Sequence, residues 1–329
     1  MKRREFIGLV GSAIAAPSLL WPRAAQAQQM PVIGFLGSQS ADATEHVLPS
    51  FRQGLKELGL VEGKNVRIEF RWAEDHYDRL PAMAAELVRD NVAVIVASGG
   101  NATARVARKA TATIPIVITA TADPVKAGLV ESFNRPGGNV TGIALLTVEL
   151  DAKRLELLRE IAPKADIIGA LIDSSRVEGE VVAKSVQEAA QAVGRPLVVA
   201  NARAEGDFDA AFELLVRERV GALLVTASPL FTSRRDHLVA LATRYAIPTV
   251  FQFREFVLAG GLVSYGASLS EAYHQAGLYA GRILRGEKPS DLPVVQPTKF
   301  DLVINVKTAK ALGLEVPPTL LARADEVIE

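Results

Sequence analysis

The stretch VAVIVASGGNATARVARKATATIPIVITATADP, residues 92–124, contains the pattern that decides the fold class. Two short apolar runs rich in Val and Ile, Val92–Ala97 and Ile116–Ala120, are separated by a glycine pair and a segment that favours a helix. Near-continuous apolar runs of this length are typical of strands that are covered on both faces, as in parallel sheets. The stretch therefore predicts a strand, a helix and a second, parallel strand.

The same alternation continues along most of the chain in two series. The predicted strands are Val32–Leu36, Val66–Phe70, Val92–Ala97, Ile116–Ala120 and Val140–Ile143 in the first series, and Ile167–Ile172, Leu197–Val199, Ala222–Thr226, Thr249–Phe253 and Leu262–Tyr265 in the second. Apolar residues repeat at helical spacing between the strands, and Ser270–Leu284 and Phe300–Val306 predict a further helix and a late strand. Strand–helix alternation of this kind predicts an α/β fold of two doubly wound lobes with parallel sheets.

Composition excludes several classes of function. The chain has 329 residues, which suggests two domains, and its 37 basic residues balance its 37 acidic ones. A balanced charge without a basic cluster argues against a nucleic-acid partner. The sequence contains no Cys, which excludes disulfides, thiolate metal sites, Cys nucleophiles and a lipid-modified N-terminal Cys.

Motifs of catalysis and of cofactor binding are missing as well. The four His residues have no metal-ligand spacing, and we interpret each of them as a surface or structural residue. The sequence has no G-x-S-x-G nucleophile elbow and no G-x-G-x-x-G after the first predicted strand. We therefore expect no enzyme activity, no metal and no cofactor.

Residues 1–27 have the pattern of an export signal. Three basic residues at 2–4 precede an uncharged apolar run at 6–20, and Ala-Gln-Ala at 25–27 matches a cleavage site that would leave Gln28 first. The apolar run is shorter than the roughly 20 residues of a membrane span, although an uncleaved anchor is the alternative.

The sequence does not decide which export route the protein takes. The run Arg3-Arg4-Glu5-Phe6-Ile7 resembles a twin-arginine signal, but it lacks the usual Ser/Thr before the arginine pair and the usual Lys after the apolar residue. An exported protein without Cys fits the periplasm of a bacterium with two membranes.

Candidate ligand-binding residues follow from the rule that open parallel sheets bind ligands beyond the carboxyl ends of their strands. In the first lobe these residues are Ser38, Ser98, Gly99, Gly100, Asn101, Thr121 and Asp123, and in the second they are Asp173, Ser174, Thr226, Ser228, Gln252 and Tyr265.

The loop Ser98–Thr103 is the most informative of these segments. Its two glycines allow close approach of a ligand, and a helix begins just after them, so we expect its N–H groups to point into the cleft and to bind a carboxylate or another anion. The alternative is a capped turn without a ligand. Asp123 and Asp173 could instead cap turns or helices, and Tyr265 could be a packing residue that does not contact the ligand.

A set of motifs that covers nearly the whole chain beyond residue 27 resembles the ABC-transporter substrate-binding protein family. The motifs are Ile114-Pro115-Ile116-Val117, Asp123-Pro124-Val125, Gly128-Leu129-Val130, Arg135-Pro136-Gly137-Gly138-Asn139-Val140-Thr141-Gly142, Gly260-Gly261-Leu262-Val263-Ser264-Tyr265-Gly266 and the Ala309–Leu314 tail. Better-known members of this family bind tryptophan or tyrosine.

The resemblance implies a type I periplasmic-binding-protein fold, with two Rossmann-like lobes, a hinge with chain crossovers, and ligand in the cleft. The crossovers would lie near Leu146, Ala267 and Pro297. Lobe 1 would then comprise residues 28–146 and 268–296, and lobe 2 residues 147–267 and 297–329.

One feature departs from the aromatic amino-acid binders. As the resemblance implies, these proteins hold the ligand's ammonium with acidic or amide side chains in loops of the second lobe. Here those loops are Thr226-Ala227-Ser228 and Phe251-Gln252-Phe253, and only Asp173 and Gln252 could take that role. An amino acid, another small carboxylate or an aromatic compound all remain candidate ligands.

The resulting prediction is a monomeric, periplasmic solute-binding protein of an ABC importer. It would bind a small organic ligand between its lobes, close, and deliver the ligand to an ABC permease in the inner membrane. The alternative function is a periplasmic sensor subunit that presents its ligand to a receptor.

Overall fold

The structure is a computed structural model that describes residues 30–176 and 178–329. The predicted export signal, residues 1–27, and the predicted new N-terminus at Gln28 lie outside the described residues. All elements below belong to the compact unit Pro31–Glu329.

The first sheet has five parallel strands in the order β2-β1-β3-β4-β5. Its strands are β1 Val32–Gly37, β2 Arg67–Trp72, β3 Val94–Ser98, β4 Ile116–Ala120 and β5 Val140–Ala144. Every residue of β3, β4 and β5 is buried, as expected of strands covered on both faces. The five strands predicted for the first series are confirmed, with ends that differ by two residues at most.

The second sheet has seven strands in the order β12-β11-β10-β9-β8-β6-β7. Its strands are β6 Ile168–Asp173, β7 Leu197–Ala202, β8 Ala222–Val225, β9 Thr249–Phe251, β10 Val263–Gly266, β11 Asp301–Asn305 and β12 Glu326–Ile328. The five strands of the second predicted series, β6 to β10, pair in parallel as predicted, whereas the late strand β11 runs antiparallel to β10. The strand β12, which has only three residues, was not predicted.

Helices and turns of 3-10 helix connect the strands. The α-helices are α1 Ala41–Thr44, α2 Leu48–Glu57, α3 Leu80–Arg89, α4 Asn101–Ala110, α5 Asp151–Ile161, α6 Gly179–Ala192, α7 Phe208–Arg217, α8 Pro229–Ser233, α9 Arg235–Arg244, α10 Arg254–Leu258, α11 Leu269–Leu284, α12 Val306–Ala311 and α13 Pro318–Leu321. The 3-10 segments are Tyr77–Arg79, Val148–Leu150, Glu205–Asp207 and Pro289–Asp291. The predicted helix Ser270–Leu284 is confirmed as α11.

The chain passes between the two sheets at three places: after β5, after β10, and before β11. Between the second and the third passage, α11 packs against α2 beside the first sheet. The returning chain enters the second sheet beside the C-terminal end of β10. The strand β11 must therefore run in the opposite direction to β10. This connection explains the antiparallel pair.

Candidate functional site

A cavity lies where loops that follow strands of the first sheet meet loops that follow strands of the second. The empty space between its walls is about 490 Å³, including a mouth that is open to solvent. Its walls are formed by Gln39, Ala43, Thr44, His46, Val47, Gly99, Gly100, Thr119, Thr121, Leu145, Ala227, Ser228, Pro229, Thr232, Phe253, Leu269 and Tyr273.

Hydrogen bonds join the two sides around this cavity. Gln39, which follows β1, donates from Nε2 to the carbonyl oxygen of Pro229 (3.1 Å) and to Oγ of Ser233 (3.2 Å) at α8. The Ser233 hydroxyl donates to Oδ1 of Asp75 (3.0 Å), which follows β2. Arg105 of α4 forms an ion pair with Glu178, next to α6. The cavity is therefore enclosed between segments that belong to different sheets.

The glycine pair after β3 borders the cavity in a conformation that favours glycine. Gly99 has φ 97° and Gly100 has φ 90°. A Cβ atom at Gly99 would overlap with Oγ of Ser38, which is buried behind the loop and donates a hydrogen bond to the Gly99 carbonyl (3.4 Å). A Cβ atom at Gly100 would lie 3.0 Å from Oγ1 of Thr121. The close approach of neighbouring loops thus explains both glycines.

One expectation about this loop is wrong. The backbone N–H of Gly100 does not point freely into the cleft, because it donates to the carbonyl oxygen of Thr119 on β4 (3.2 Å). The loop is joined to the neighbouring strand, and its glycines line the cavity through their Cα atoms and backbone rather than through the Gly100 amide.

The two polar residues that flank the glycines hold the loop in place. Ser98 is buried, and its hydroxyl is hydrogen-bonded to the hydroxyl of Tyr273 on α11. Asn101 accepts hydrogen bonds at Oδ1 from the backbone N–H groups of Thr121 (3.0 Å) and Ala122 (3.2 Å). Both side chains therefore connect segments around the cavity.

Asp123 has the geometry of a turn cap. Its Oδ1 accepts hydrogen bonds from the backbone N–H groups of Val125 (2.8 Å) and Lys126 (3.1 Å). The side chain lies outside the residues that line the cavity.

Asp173, which ends β6, is nearly excluded from solvent, and both of its carboxylate oxygens have partners within the protein. Its Oδ1 accepts from the backbone N–H of Ser175 (3.0 Å), and its Oδ2 accepts from Oγ of Ser228 (2.6 Å). The Nε atom of Arg176 lies 3.3 Å from Oδ2. Asp173 therefore supports Ser228, which lines the cavity, and its own carboxylate faces partners within the protein. Ser174 donates from its backbone N–H to the carbonyl of Ala202 (3.0 Å).

The remaining three predicted residues do not line the cavity. Thr226 donates from Oγ1 to the carbonyl of Leu171 (2.8 Å). Gln252 is completely buried. Tyr265 packs against Phe300, with 6.1 Å between the ring centroids.

Of all the predicted site residues, the structure brings Gly99, Gly100, Thr121 and Ser228 together on the cavity wall. Several wall residues were not predicted. His46 and the residues of the short helices α1 and α8 carry no periodic pattern that could reveal them. Tyr273 lies on the predicted helix Ser270–Leu284, and Leu269 directly precedes it, but the periodicity of a helix does not tell which neighbour each of its faces contacts.

His46 was interpreted as a surface or structural residue, and the structure places it on the cavity wall. Both ring nitrogens are buried and have no hydrogen-bond partner among the described residues. Burial, followed by the positive charge of Arg235, lowers the pKa of His46 below its usual value. A neutral imidazole offers one donor and one acceptor.

Within residues 30–176 and 178–329, His, Asp and Glu side chains form no group of three that could hold a metal ion. No helix in the same part of the chain is both long and apolar enough to cross a bilayer.

Comparison with known families agrees with the two-sheet architecture. The family model described as ABC transporter substrate binding protein matches residues 32–328. The chain belongs to the ABC transporter substrate-binding protein family.

Relatives of this substrate-binding protein include a curated tyrosine-binding protein from Clostridioides difficile (strain R20291), which is 30% identical over 266 residues, covering 80% of this chain and 76% of the relative. The crystal structure of a conserved domain protein from Vibrio cholerae has a TM-score of 0.84 at 28% identity and covers 91% of this chain and 100% of the other.

A structure of an ABC domain in complex with L-Trp, from Streptococcus pneumoniae, has a TM-score of 0.82 at 25% identity and covers 91% of this chain and 99% of the other. The fold of this substrate-binding protein is the type I periplasmic-binding-protein fold.

Proposed function

We propose that this protein is the periplasmic solute-binding component of an ABC importer, which captures a small organic ligand and delivers it to a permease in the inner membrane. The observation that carries the proposal is the cavity between loops of the two sheets, in a member of a substrate-binding family. The ligand is an amino acid or another small carboxylate or aromatic compound. The protein binds without chemical conversion and acts as a monomer.

In this proposal the two sheets belong to lobes that move about a hinge. Lobe 1 comprises residues 28–146 and 268–296, and lobe 2 comprises residues 147–267 and 297–329. The bonds from Gln39 to Pro229 and from Ser233 to Asp75 close the cleft, so they must break before a ligand can enter. Ligand that binds between the lobes then stabilises the closed arrangement.

The predicted residues on the cavity wall and those next to it have different roles in this proposal. Gly99, Gly100, Thr121 and Ser228 contact the ligand, whereas Ser98, Asn101 and Asp173 hold the contacting segments through the hydrogen bonds described above. The relatives support a ligand of the size of an amino acid, because one is named a tyrosine-binding protein and another was solved with L-Trp. Residues 1–27 direct export and are removed before Gln28.

The test is to express the full chain in a bacterium with two membranes and to purify it from the periplasmic fraction. We expect mass spectrometry of the unfolded protein to detect a stoichiometric small molecule. When it is added back to stripped protein, this molecule should raise the Tm and reduce the radius of gyration in solution scattering. If no molecule co-purifies and no metabolite extract raises the Tm, the proposal is wrong.

A further inference from the structure

Asp75 follows β2 of the first sheet, and segments that belong to the second sheet cover its carboxyl group. The side chain is 8% exposed, although Glu74 and His76 on either side of it are exposed. Its contacts across the boundary are Ser233, at the end of α8, and Arg234, between α8 and α9. Separation of the two sheets would therefore return this carboxyl group to water.

The backbone that presents this carboxyl group has an uncommon conformation. Glu74 and Asp75 have φ values of 55° and 62°, in the left-handed region that residues other than glycine rarely adopt. The backbone N–H of Asp75 donates to the carbonyl oxygen of Ser38 (2.8 Å), which fixes the turn against the loop after β1. Strained backbone of this kind is common where function requires a side chain in one place. Here it holds the Asp75 carboxyl group against the second sheet.

The two oxygens of this carboxyl group have unequal partners. Oδ1 lies at hydrogen-bond distance from Oγ of Ser233 (3.0 Å). Oδ2 is buried without a hydrogen-bond partner among the described residues, and Nη2 of Arg234 lies 3.5 Å from it. The guanidinium of Arg234 is shared with a second carboxylate, because its Nε lies 2.7 Å from Oε2 of Glu205. A charged Asp75 is therefore poorly compensated, and burying such a charge is unfavourable.

The Ser233 hydroxyl has one hydrogen but lies between two acceptors. Its Oγ is 3.0 Å from Oδ1 of Asp75 and 3.0 Å from the carbonyl oxygen of Pro229, and it accepts from Nε2 of Gln39 (3.2 Å). While Asp75 is charged, only one of the two acceptors can receive that hydrogen. With a proton on Oδ1, Asp75 donates to Ser233 and Ser233 donates to Pro229, so both short contacts become hydrogen bonds.

The charges around Asp75 do not remove this preference for a proton. The titratable and charged groups that face it are Glu74, Tyr77, Asp173 and Arg234. Burial is the largest cause that raises the pKa of Asp75 from 3.8 to about 6, and the nearby carboxylates add to it, whereas Ser233 and Arg234 oppose the shift. Burial also raises the pKa of the Tyr77 hydroxyl, which therefore stays neutral in this pH range.

We propose that closure of the two lobes binds a proton at Asp75, so that acid favours the closed arrangement and a rise in pH favours opening. The inference rests on the lobe movement of the proposed function and adds a pH-sensitive contact to it. When the lobes are apart, Asp75 is exposed and has its ordinary pKa. The advantage of the closed arrangement is therefore complete below about pH 4 and is lost as the pH rises through about 6.

A second titratable contact crosses the same boundary, between His46 and Glu255, whose Nε2 and Oε1 atoms lie 3.9 Å apart. Burial lowers the pKa of His46 and raises that of Glu255. Closure would release a proton from the first group and bind one to the second, so their effects on the pH dependence oppose each other. The test therefore compares variants of Asp75 and does not rely on the pH dependence of the wild type alone.

The first test holds the lobes together without any ligand. Arg105→Cys and Glu178→Cys replace an ion pair across the boundary, and a short bismaleimide links the two thiols, which are the only ones in the chain. The carbon-13 signal of the Asp75 carboxyl carbon, assigned from its loss in Asp75→Asn, reports the pKa. We expect a pKa of about 6 in the linked protein and a lower value, nearer 3.8, in the same protein before linking.

Equal pKa values of Asp75 in the linked and unlinked protein overturn the inference, and so does an ordinary pKa in the linked protein. Solution scattering of the same two samples separates this failure from failure of the proposed function. A larger radius of gyration in the unlinked protein leaves the lobe movement intact. Equal radii together with equal pKa values overturn both the inference and the lobe movement.

The second test measures the consequence for binding. The molecule released from the periplasmic protein is titrated back at pH 5 and pH 7 into wild type, Asp75→Asn and the control Asp78→Asn, which changes an exposed carboxyl group of the same segment. Because Asn stays uncharged, we expect the ratio of the wild-type Kd to the Asp75→Asn Kd to rise about ten-fold between these pH values. The corresponding ratio for Asp78→Asn should stay constant.

The use of ratios removes the titration of the bound molecule and of other groups from the comparison. A ratio for Asp75→Asn that does not change with pH overturns the inference and leaves ligand binding itself intact. If no molecule is released, the proposed function fails by its own test, and the pKa values in the linked and unlinked protein still decide the inference.

Discussion

Arg154 and Asp151 form an ion pair in which both side chains are almost completely excluded from solvent, with 2.6 Å between Nη1 and Oδ1. The same guanidinium donates from Nε to the carbonyl of Tyr265 (2.8 Å) and from Nη1 to the carbonyl of Thr147 (2.7 Å). Thr147 follows β5 and Tyr265 lies near the end of β10, where the chain passes between the sheets. Arg154 therefore connects two of the three passages.

Removing the Arg154 charge should strongly destabilise the protein. Arg154→Met leaves Asp151 buried without its partner and two carbonyls without their donor, so we expect a loss of about 3–5 kcal/mol in the free energy of unfolding. The control Lys153→Met changes an exposed neighbour on the same helix and should cost less than about 0.5 kcal/mol. Urea unfolding of both variants measures the difference, and equal stability of the two would contradict this role of Arg154.

The contact between α2 and α11 depends on glycine. A Cβ atom at Gly277 would overlap with the carbonyl oxygen of Phe51, so the two helices could not keep their separation. We expect Gly277→Val to reduce the free energy of unfolding by about 1–3 kcal/mol. Gly206→Val is the control, because a Cβ atom at Gly206 meets no atom within 4 Å. A Gly277→Val protein as stable as this control would show that the helices can separate without cost.

Ligand affinity should respond to Gly100 but not to a glycine of similar conformation elsewhere. Gly100 and Gly128 have φ values of 90° and 67°, so replacement by Ala should cost about 1–2 kcal/mol of stability at either position. Only the methyl group at position 100 enters the cavity wall, 3.0 Å from Oγ1 of Thr121. We expect Gly100→Ala to raise the Kd of the co-purified ligand about ten-fold, a loss of roughly 1.4 kcal/mol.

Calorimetric titration of Gly100→Ala and Gly128→Ala with the same ligand checks this expectation. Unchanged affinity in both variants would mean that the glycine loop forms a turn that the ligand does not touch.

The buried carboxyl of Asp75 should make stability depend on pH. Burial is the largest cause that raises its pKa from 3.8 to about 6, although Ser233 and Arg234 oppose the shift. An acid whose pKa is raised by folding contributes stability that is fully present below about pH 4 and is lost as the pH rises through about 6. Asp75→Asn should therefore flatten the dependence of Tm on pH between these values.

Thermal unfolding from pH 4 to pH 8 compares Asp75→Asn with Asp78→Asn, which changes an exposed carboxyl in the same segment. If wild type and Asp75→Asn lose the same stability across this interval, the environment of Asp75 is not the source of the dependence.

The N-terminus of the exported protein is a further expected outcome. Because Ala-Gln-Ala at 25–27 matches a signal-peptidase site, N-terminal sequencing of the periplasmic protein should begin at Gln28. Ala27→Phe places a large residue where the site requires a small one and should block cleavage, whereas Gln28→Glu should not. Retention of residues 1–27 in the wild-type protein would favour an uncleaved anchor.

Local burial determined what the sequence could predict by itself. The Val and Ile run Ile116–Ala120 and the helical repeat of α11 are apolar because other layers of the fold cover them. Such a pattern can be recognised from the sequence without knowing which elements provide the cover. The α/β class, the number of strands in the first sheet and the family motifs follow from such local signals. The resemblance to a known family then allowed the sequence to predict the fold and the general class of function.

Contacts between distant segments decided the rest. The antiparallel pairing of β10 and β11 depends on where the returning chain enters the sheet. The hydrogen bond from Gly100 to Thr119 and the packing of His46 on the cavity wall join residues that no local pattern relates. Short helices such as α1 and α8 have too few residues to show a period. The sequence therefore determined which segments form strands and helices, and only the tertiary structure decided which side chains meet at the cavity, because that choice depends on packing between elements far apart in the chain.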